Sequence, residues 1–80
     1  MRVLFFGRLA EIAGGREQAA PDTIASVSAL VAHLTQTDAT LGEALAGKGV
    51  RAAVNKTIVT GDAPLKAGDE IAFMPPLSGG

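Results

Sequence analysis

The residues from which chemistry is expected are the last six of the 80-residue chain: Pro75, Pro76, Leu77, Ser78, Gly79 and Gly80. Glycine has no Cβ atom, so a diglycine and its terminal carboxylate can enter a channel too narrow for other residues. The two prolines lack an N–H and fix φ, so they end a preceding strand and keep the tail extended. At about 3.3 Å per residue, the carboxylate of Gly80 can stand roughly 20 Å from Pro75. This ending predicts delivery of the terminus into the active site of another protein; the alternative is an ordinary frayed end.

No other group of side chains is arranged for catalysis. His33 is the only histidine and lies off the apolar stripe of its predicted helix. Asp69 and Glu70 are adjacent at the entry to a strand, so they point to opposite faces and cannot form an acid–base pair. Three further aspartates stand beside turn-forming residues and are predicted turn and cap residues: Asp22, Asp38 and Asp62. We therefore expect a chain that is not an enzyme on its own and that binds no cofactor or metal.

Composition restricts the partners and the compartment. A hydrophobic content of 48% and a mean hydropathy of +0.30 suffice for one small globular core. The net charge is −1 and the cationic residues are scattered singly, so we expect no binding to nucleic acid. No apolar run approaches about 18 residues and no signal peptide opens the chain, which predicts a cytoplasmic protein without membrane contact. Because cysteine is absent, the chain has no disulfide, no cysteine metal site, no iron–sulfur cluster and no thiol or persulfide.

Alternation and turn residues predict the element order strand, strand, helix, helix, strand, strand, strand. The first strand covers residues 2–6, and a short helical turn leads through Gly14 and Gly15 into a second strand near residues 16–20. The last three strands are predicted at residues 51–54, 57–59 and 70–74, with turns at Asn55-Lys56 and at residues 66–69. Because Lys56 does not favour positive φ, a slightly longer loop is the alternative at the first of these turns.

Two helices are predicted between the second and third strands. Ser26 is a favourable N-cap, and an apolar stripe from Val27 to Leu34 has the spacing of a helix that faces a sheet. A second, shorter helix is predicted to begin at Thr40, where Thr40 and Glu43 have the spacing of a capping box.

These elements predict an α+β fold in which a mixed sheet of four to five strands has a helix across one face. We expect a domain at residues 1–74 and a flexible tail at residues 75–80. Alternation assigns six side chains to the face under the helix: Val3, Phe5, Ala52, Val54, Ile71 and Phe73. If the first and last strands are neighbours, three apolar side chains gather on the opposite face: Phe6, Ile58 and Met74. Either the second helix or a loop covers this patch, or the patch docks a partner.

Several segments, in order from the first residue to the last, resemble a known family. They are Val3-Leu4-Phe5-Phe6, Glu11-Ile12-Ala13-Gly14, Ala53-Val54-Asn55, Pro64-Leu65, Gly68-Asp69-Glu70 and the Pro-Pro-Leu-Ser-Gly-Gly ending. The chain resembles the small, sulfur-carrying subunits of molybdopterin synthases, which are ubiquitin-like sulfur carriers. It departs from that family at Gly7, where alanine is usual, at Leu77, where valine is preferred, and at Met74, where an aromatic residue is frequent.

The resemblance implies a β-grasp fold in which the first and last strands pair in parallel. It implies that a ubiquitin-activating-type adenylyltransferase uses ATP to adenylate Gly80, and that a sulfur donor enzyme then provides the sulfur of a thiocarboxylate. Residues 75–79 are then expected to thread the channel of the large, catalytic synthase subunit, in a heterotetramer. There the sulfur passes to a cyclic pyranopterin phosphate. Phe6, Ile58 and Met74 are the expected docking residues for these partners.

Two other functions stay open. The sister carrier of thiamine-thiazole synthesis shares the fold and the diglycine, although the Pro-Pro before the tail and the Phe-Phe of the first strand disfavour it. A covalent protein modifier would join Gly80 to lysines of other proteins, and the sequence does not exclude this as a second role.

Overall fold

The computed structural model describes residues 1–76. In chain order the elements are β1 (Arg2–Phe5), α1 (Arg8–Ala13), β2 (Glu17–Ala19), α2 (Val27–Thr37), α3 (Ala39–Leu45), β3 (Arg51–Val54), β4 (Thr57–Val59) and β5 (Glu70–Met74). The strands form one sheet in the order β2-β1-β5-β3-β4. β1 and β5 are parallel, and the other neighbouring pairs are antiparallel. The predicted α+β fold with a mixed β-grasp sheet is confirmed.

The inner face of the sheet is built around the central pair, β1 and β5. Val3 lies opposite Ile71, and Phe5 lies opposite Phe73. All four side chains are at most 3% exposed, and the rings of Phe5 and Phe73 stack with centroids 6.0 Å apart. Ala52 and Val54 on β3 pack partly buried against the same core. The six residues predicted to lie under the helix therefore do so, because strand alternation was correctly phased.

α2 covers the inner face with the predicted apolar stripe. Leu30 and Leu34 are at most 1% exposed and belong to the core cluster. The helix begins after Ser26, whose hydroxyl oxygen accepts a hydrogen bond from the Ala29 N–H at 3.1 Å. The predicted N-cap is confirmed.

The start of α3 differs from the sequence prediction. The helix begins at Ala39, and its N-cap is Asp38, whose carboxylate accepts a hydrogen bond from the Leu41 N–H at 3.1 Å. The capping box expected at Thr40 and Glu43 is therefore wrong. Asp38 precedes Thr40, has the extended backbone of an N-cap (φ −152, ψ 95) and is the stronger capping residue, so the helix starts earlier. The broader prediction that Asp38 is a cap residue is confirmed.

α3 packs against α2 through a glycine. A Cβ atom at Gly42 would lie 2.7 Å from the Cβ of Thr35, closer than real Cβ contacts occur. Because Gly42 has no side chain, the two helices can approach and bury Leu41 and Leu45 against the core.

The hairpin between β3 and β4 turns at Asn55 and Lys56, as predicted. Both residues have positive φ, 49° and 72°, which is the geometry of a two-residue turn that matches strand twist. Lys56 adopts this region at a conformational cost, because its Cβ approaches the backbone there. Across the hairpin Ala53 lies opposite Ile58, as alternation predicts.

Candidate functional site

The tail begins at the end of β5, the middle strand of the sheet. β5 is paired with β1 on one side and with β3 on the other, and the Phe6 N–H donates a further hydrogen bond to the Phe73 carbonyl at 3.0 Å. The strand ends at Met74, immediately before the two prolines. Hydrogen bonds on both sides therefore fix the point from which the tail starts. Leu77, Ser78, Gly79 and Gly80 lie outside the described residues, and their roles stay predictions.

The face opposite the helices carries the apolar patch, which we call the docking patch and define as Phe6, Ile58 and Met74. Phe6 and Ile58 are 50% and 58% exposed, while Met74 is half-buried on the strand between them. α3 packs on α1 and α2, so the second helix does not cover the patch. Within residues 1–76 the predicted patch is thus assembled and open. Its use for docking stays a prediction.

Small residues form the floor of the docking patch. Ala53 lies opposite Ile58 on one side and Ala72 on the other. Ala53 is only 6% exposed although it lies on the outer face, because its methyl group barely rises above the backbone of the paired strands. The small side chains of Ala53 and Ala72 therefore separate Ile58 from Phe6 and Met74, and the exposed Arg51 borders Met74 on the same face.

A groove of about 580 Å³ continues the docking patch beyond Phe6. It lies between β1, α1 and β2, and its lining includes Leu4, Phe6, Ala10, Glu11, Arg16 and Glu17. The groove was not predicted, because its width depends on how far the loop after α1 carries β2 from the helix. Its lining is apolar at Leu4, Phe6 and Ala10 and charged at Glu11, Arg16 and Glu17.

Ionic contacts tie three strands together at the end of the sheet away from the tail. Arg2 donates hydrogen bonds to Glu17 on β2 and to Glu70 on β5, each at 3.0 Å. The hydrogen bond from Arg2, and then its charge, lower the pKa of the Glu17 carboxyl. Arg2 therefore links three strands where β5 begins. At the other end of β5, Phe6 and Met74 are apolar, and the exposed Arg51 lies opposite Met74.

The turn before β5 is held by a buried aspartate. The Asp69 carboxylate accepts hydrogen bonds from the Asn55 side-chain amide at 3.0 Å and from the Lys66 N–H at 2.8 Å. The Asn55 amide oxygen in turn accepts from the Glu70 N–H at 3.0 Å. The Asn55 hydrogen bond, followed by that from Lys66, lowers the pKa of Asp69. These contacts join the β3–β4 hairpin to the start of β5, so they fix the register of the strand that carries the tail.

Other predicted turn and cap residues fill those roles. The Asp62 carboxylate accepts hydrogen bonds from the N–H and the hydroxyl of Ser28, both at 2.8 Å, in the first turn of α2. Asp22 accepts from the Gly68 N–H at 3.1 Å.

His33 is half-buried on α2. Among the residues that the structure describes, no cluster of His, Asp and Glu could hold a metal ion, and no helix is long and apolar enough to cross a membrane.

Two glycines at the base of the tail were missed by sequence reasoning. A Cβ atom at Gly7 would lie 3.0 Å from Cγ of Pro75, and one at Gly49 would lie 2.8 Å from Cβ of Pro76. The only signal in the sequence was the departure from alanine at Gly7. Gly49 gave none, because its contact joins residues far apart in the chain.

Comparison with known proteins identifies relatives along the whole chain. The model of the ThiS family matches residues 3–80. A protein of Escherichia coli named molybdopterin synthase sulfur carrier subunit is 38% identical over 100% of this chain and 99% of its own length. A Haemophilus influenzae protein of the same name is 35% identical with the same coverage. These matches confirm the resemblance found in the sequence.

Solved structures agree with the fold. SAMP1 from Haloferax volcanii superimposes with a TM-score of 0.83 at 29% identity, covering 100% of this chain and 98% of that chain. A Pyrococcus furiosus protein provisionally named molybdopterin converting factor subunit 1 gives a TM-score of 0.71 at 28% identity, with 95% of each chain covered. The β-grasp architecture is shared by both neighbours, whose names differ from that of the Escherichia coli and Haemophilus influenzae relatives.

Proposed function

The chain belongs to the ThiS family, and on that premise we propose that it is the sulfur-carrying subunit of a molybdopterin synthase. The observation that carries the proposal is the position of the docking patch beside the end of β5, from which the sequence continues to the diglycine. A partner that binds the patch is thereby placed to receive the tail. The full-length relatives that bear this name support the choice of reaction.

The chemistry belongs to the carboxylate of Gly80. A carboxylate is a poor electrophile, so its oxygen first attacks the α-phosphate of ATP within a ubiquitin-activating-type enzyme, which forms an acyl-adenylate and releases pyrophosphate. Sulfur supplied at the sulfide level by a donor enzyme then attacks the acyl carbon, AMP leaves, and a thiocarboxylate remains. This chain contributes a slender Gly79-Gly80 backbone that leaves the reacting carbon open to attack. In the large subunit the sulfur passes to a cyclic pyranopterin phosphate and becomes part of the dithiolene of molybdopterin.

The docking patch serves the partners in turn. A few side chains at the centre of an interface carry most of its binding energy, and aromatic residues are frequent among them. Phe6 is an exposed aromatic residue, with Ile58 exposed on the same face. The activating enzyme and the large subunit both need the tail in their active sites, so both bind the same end of the sheet. We therefore expect their binding to be mutually exclusive, and the carrier to dissociate from one before it meets the other.

The test is to measure loading and transfer with variants of the terminus. Deleting Gly80 shortens the reach by about 3.3 Å, and misplacing reacting groups by even about 1 Å can cost a hundredfold in rate. Intact mass after reaction with ATP, the activating enzyme and a sulfur donor reports replacement of oxygen by sulfur, and molybdopterin formation reports transfer. A chain extended by one glycine is the matched control for displacement in the opposite direction. Normal loading and product from the Gly80-deleted chain would remove the reason for proposing a sulfur carrier.

A covalent modifier is the second candidate, because the chain is similar over its full length to SAMP1 from Haloferax volcanii. The name SAMP1 stands for small archaeal modifier protein 1, as in the structure from Methanosarcina acetivorans. An acyl-adenylate at Gly80 is equally suited to attack by a lysine amine. Mass spectrometry of cellular proteins decides the matter, since a modifier leaves Gly80 in isopeptide linkage to lysines, whereas a dedicated carrier leaves none.

A further inference from the structure

The two prolines at the base of the tail lie against glycines from opposite sides of β5. Gly7 follows β1 and Gly49 precedes β3, and β1 and β3 are the two neighbours of β5. Pro75 lies against Gly7, and Pro76 lies against Gly49. Any side chain at Gly49 would occupy the space of Pro76, because its Cβ would stand 2.8 Å from the Cβ of the proline.

Other glycines show that backbone conformation alone does not account for this arrangement. Gly14, Gly61 and Gly68 also have positive φ (81°, 69° and 83°), and nothing lies within 4 Å of a Cβ built on any of them. The positive φ that their turns require is sufficient to explain glycine at those three positions. Within residues 1–76, Gly7 and Gly49 are the positive-φ glycines whose empty side-chain position is filled by another residue, and in both cases that residue is a tail proline.

We propose that Gly7 and Gly49 form a seat for Pro75 and Pro76 that sets the direction and reach of the tail. We call these four residues the proline seat. Because proline fixes φ, the position of each ring is passed on to the backbone that follows it. Residues 77–80 span at most about 13–14 Å, so the position of the base limits where the Gly80 carboxylate can reach. Gly7 and Gly49 are thus positioning residues for the reaction at Gly80, an inference that rests on the proposed function.

The two glycines do not contribute equally. The atom nearest a Cβ at Gly7 is the ring Cγ of Pro75, at 3.0 Å, which can yield by ring puckering. The atom nearest a Cβ at Gly49 is the Cβ of Pro76, which is bonded directly to the backbone. Substitution at Gly49 must therefore move the tail itself, and it is the more severe test.

The experiment compares Gly49→Ala with Gly68→Ala. The two glycines have nearly the same positive φ, 82° and 83°, which alanine disfavours at both positions, and of the two only Gly49 meets a tail residue. With the activating enzyme and ATP, we expect Gly49→Ala to lower kcat for adenylation about tenfold or more through misplacement of the carboxylate. KM should change less than about threefold, since the docking patch is intact, and Gly68→Ala should keep kcat within about twofold of the parent. Equal activity of the two variants would overturn the proposal.

A second substitution tests whether the effect passes through Pro76. Pro76→Gly removes the Cβ that Gly49→Ala would strike, so in that background Gly49→Ala should lower kcat no further than Gly68→Ala does. Coupling of this kind between two sites is what a double-mutant cycle measures. An undiminished loss in the Pro76→Gly background would show that Gly49→Ala acts elsewhere, and it would also overturn the proposal.

A structural measurement separates failure of this inference from failure of the proposed function. In the parent chain, nuclear Overhauser contacts are expected between the Gly49 Hα protons and the ring of Pro76. Their absence would overturn the proline seat even if adenylation were normal. A parent that shows these contacts but is not adenylated would overturn the proposed function, and with it the positioning role, while the packing itself would stand.

Discussion

Truncation of Phe6 tests the assignment of the docking patch. Phe6 is 50% exposed, and a phenylalanine side chain presents roughly 200 Å², so docking can remove about 100 Å² of apolar surface from water. At about 25 cal/mol per Å² this contributes up to about 2.5 kcal/mol. Because the surrounding contacts are partly retained, we expect Phe6→Ala to cost about 1–2.5 kcal/mol, a weakening of Kd of about 5- to 60-fold.

The neighbouring phenylalanine provides the control. Phe5 is 2% exposed and stacks on Phe73 in the core, so Phe5→Ala should cost about 3–5 kcal/mol of unfolding free energy. An 80-residue chain has a total of only about 4–12 kcal/mol. Phe6→Ala, on the other face of the sheet, should lower the unfolding free energy by no more than about 1 kcal/mol.

Two measurements separate these effects. Calorimetric titration with the large subunit and with the activating enzyme gives Kd for the parent and for Phe6→Ala. Urea unfolding followed by circular dichroism gives stability, since the chain has neither tryptophan nor tyrosine as a fluorescent probe. If Phe6→Ala unfolds as easily as Phe5→Ala and binds both partners with unchanged Kd, the patch is part of the core and the reasoning is refuted.

Four further results are expected. Gly79→Val keeps the length of the tail but adds a β-branched side chain, so sulfur transfer should fall sharply while binding through the docking patch persists, as activity and titration assays can show. Gly42→Ala should lower the unfolding free energy by about 1–3 kcal/mol, because the new Cβ would overlap with Thr35. Helix propensity alone predicts that the unfolding free energy rises by about 1 kcal/mol, and such a rise would contradict the packing of Gly42 against Thr35. The pKa of Asp69 is lower in the folded chain than in the unfolded chain, so the ionised carboxylate stabilises the fold above the unfolded pKa, and this stabilisation is lost as pH falls through the folded pKa. The unfolding free energy of Asp69→Asn should therefore fall less than that of the parent on acidification from pH 7. Parallel curves of unfolding free energy against pH for the two proteins would contradict this. Residues 77–80 carry one apolar side chain, and its burial is too little to offset an ordering cost of about 1–2 kcal/mol per residue. In hydrogen exchange, their amides should exchange freely in the isolated chain and become protected in complex with a partner. Protection equal to that of the β5 amides in the isolated chain would contradict this.

The sequence by itself determined the features that depend on near neighbours along the chain. Alternation in β1 and β5 assigned Phe5 and Phe73 to the core and Phe6 to the outer face, because side chains alternate with a period of two residues. The Ser26 cap and the Asn55-Lys56 turn were also predicted, since each involves residues at most three apart. The diglycine and the prolines before it were likewise legible without a structure, because the absence of a Cβ and of an N–H are properties of those residues alone.

The tertiary structure decided what depends on contacts between distant residues. Alternation could place Phe6 near Met74 only on the condition that the first and last strands are neighbours. The β1–β5 ladder fulfils that condition, and the β5–β3–β4 order places Ile58 on the same face two strands from Met74. The groove beside Phe6 and the contact of Gly49 with Pro76 arise from segments that local patterns treat separately. Their geometry is fixed by how helices and loops pack on the sheet, and no pattern in neighbouring residues encodes a distance between them.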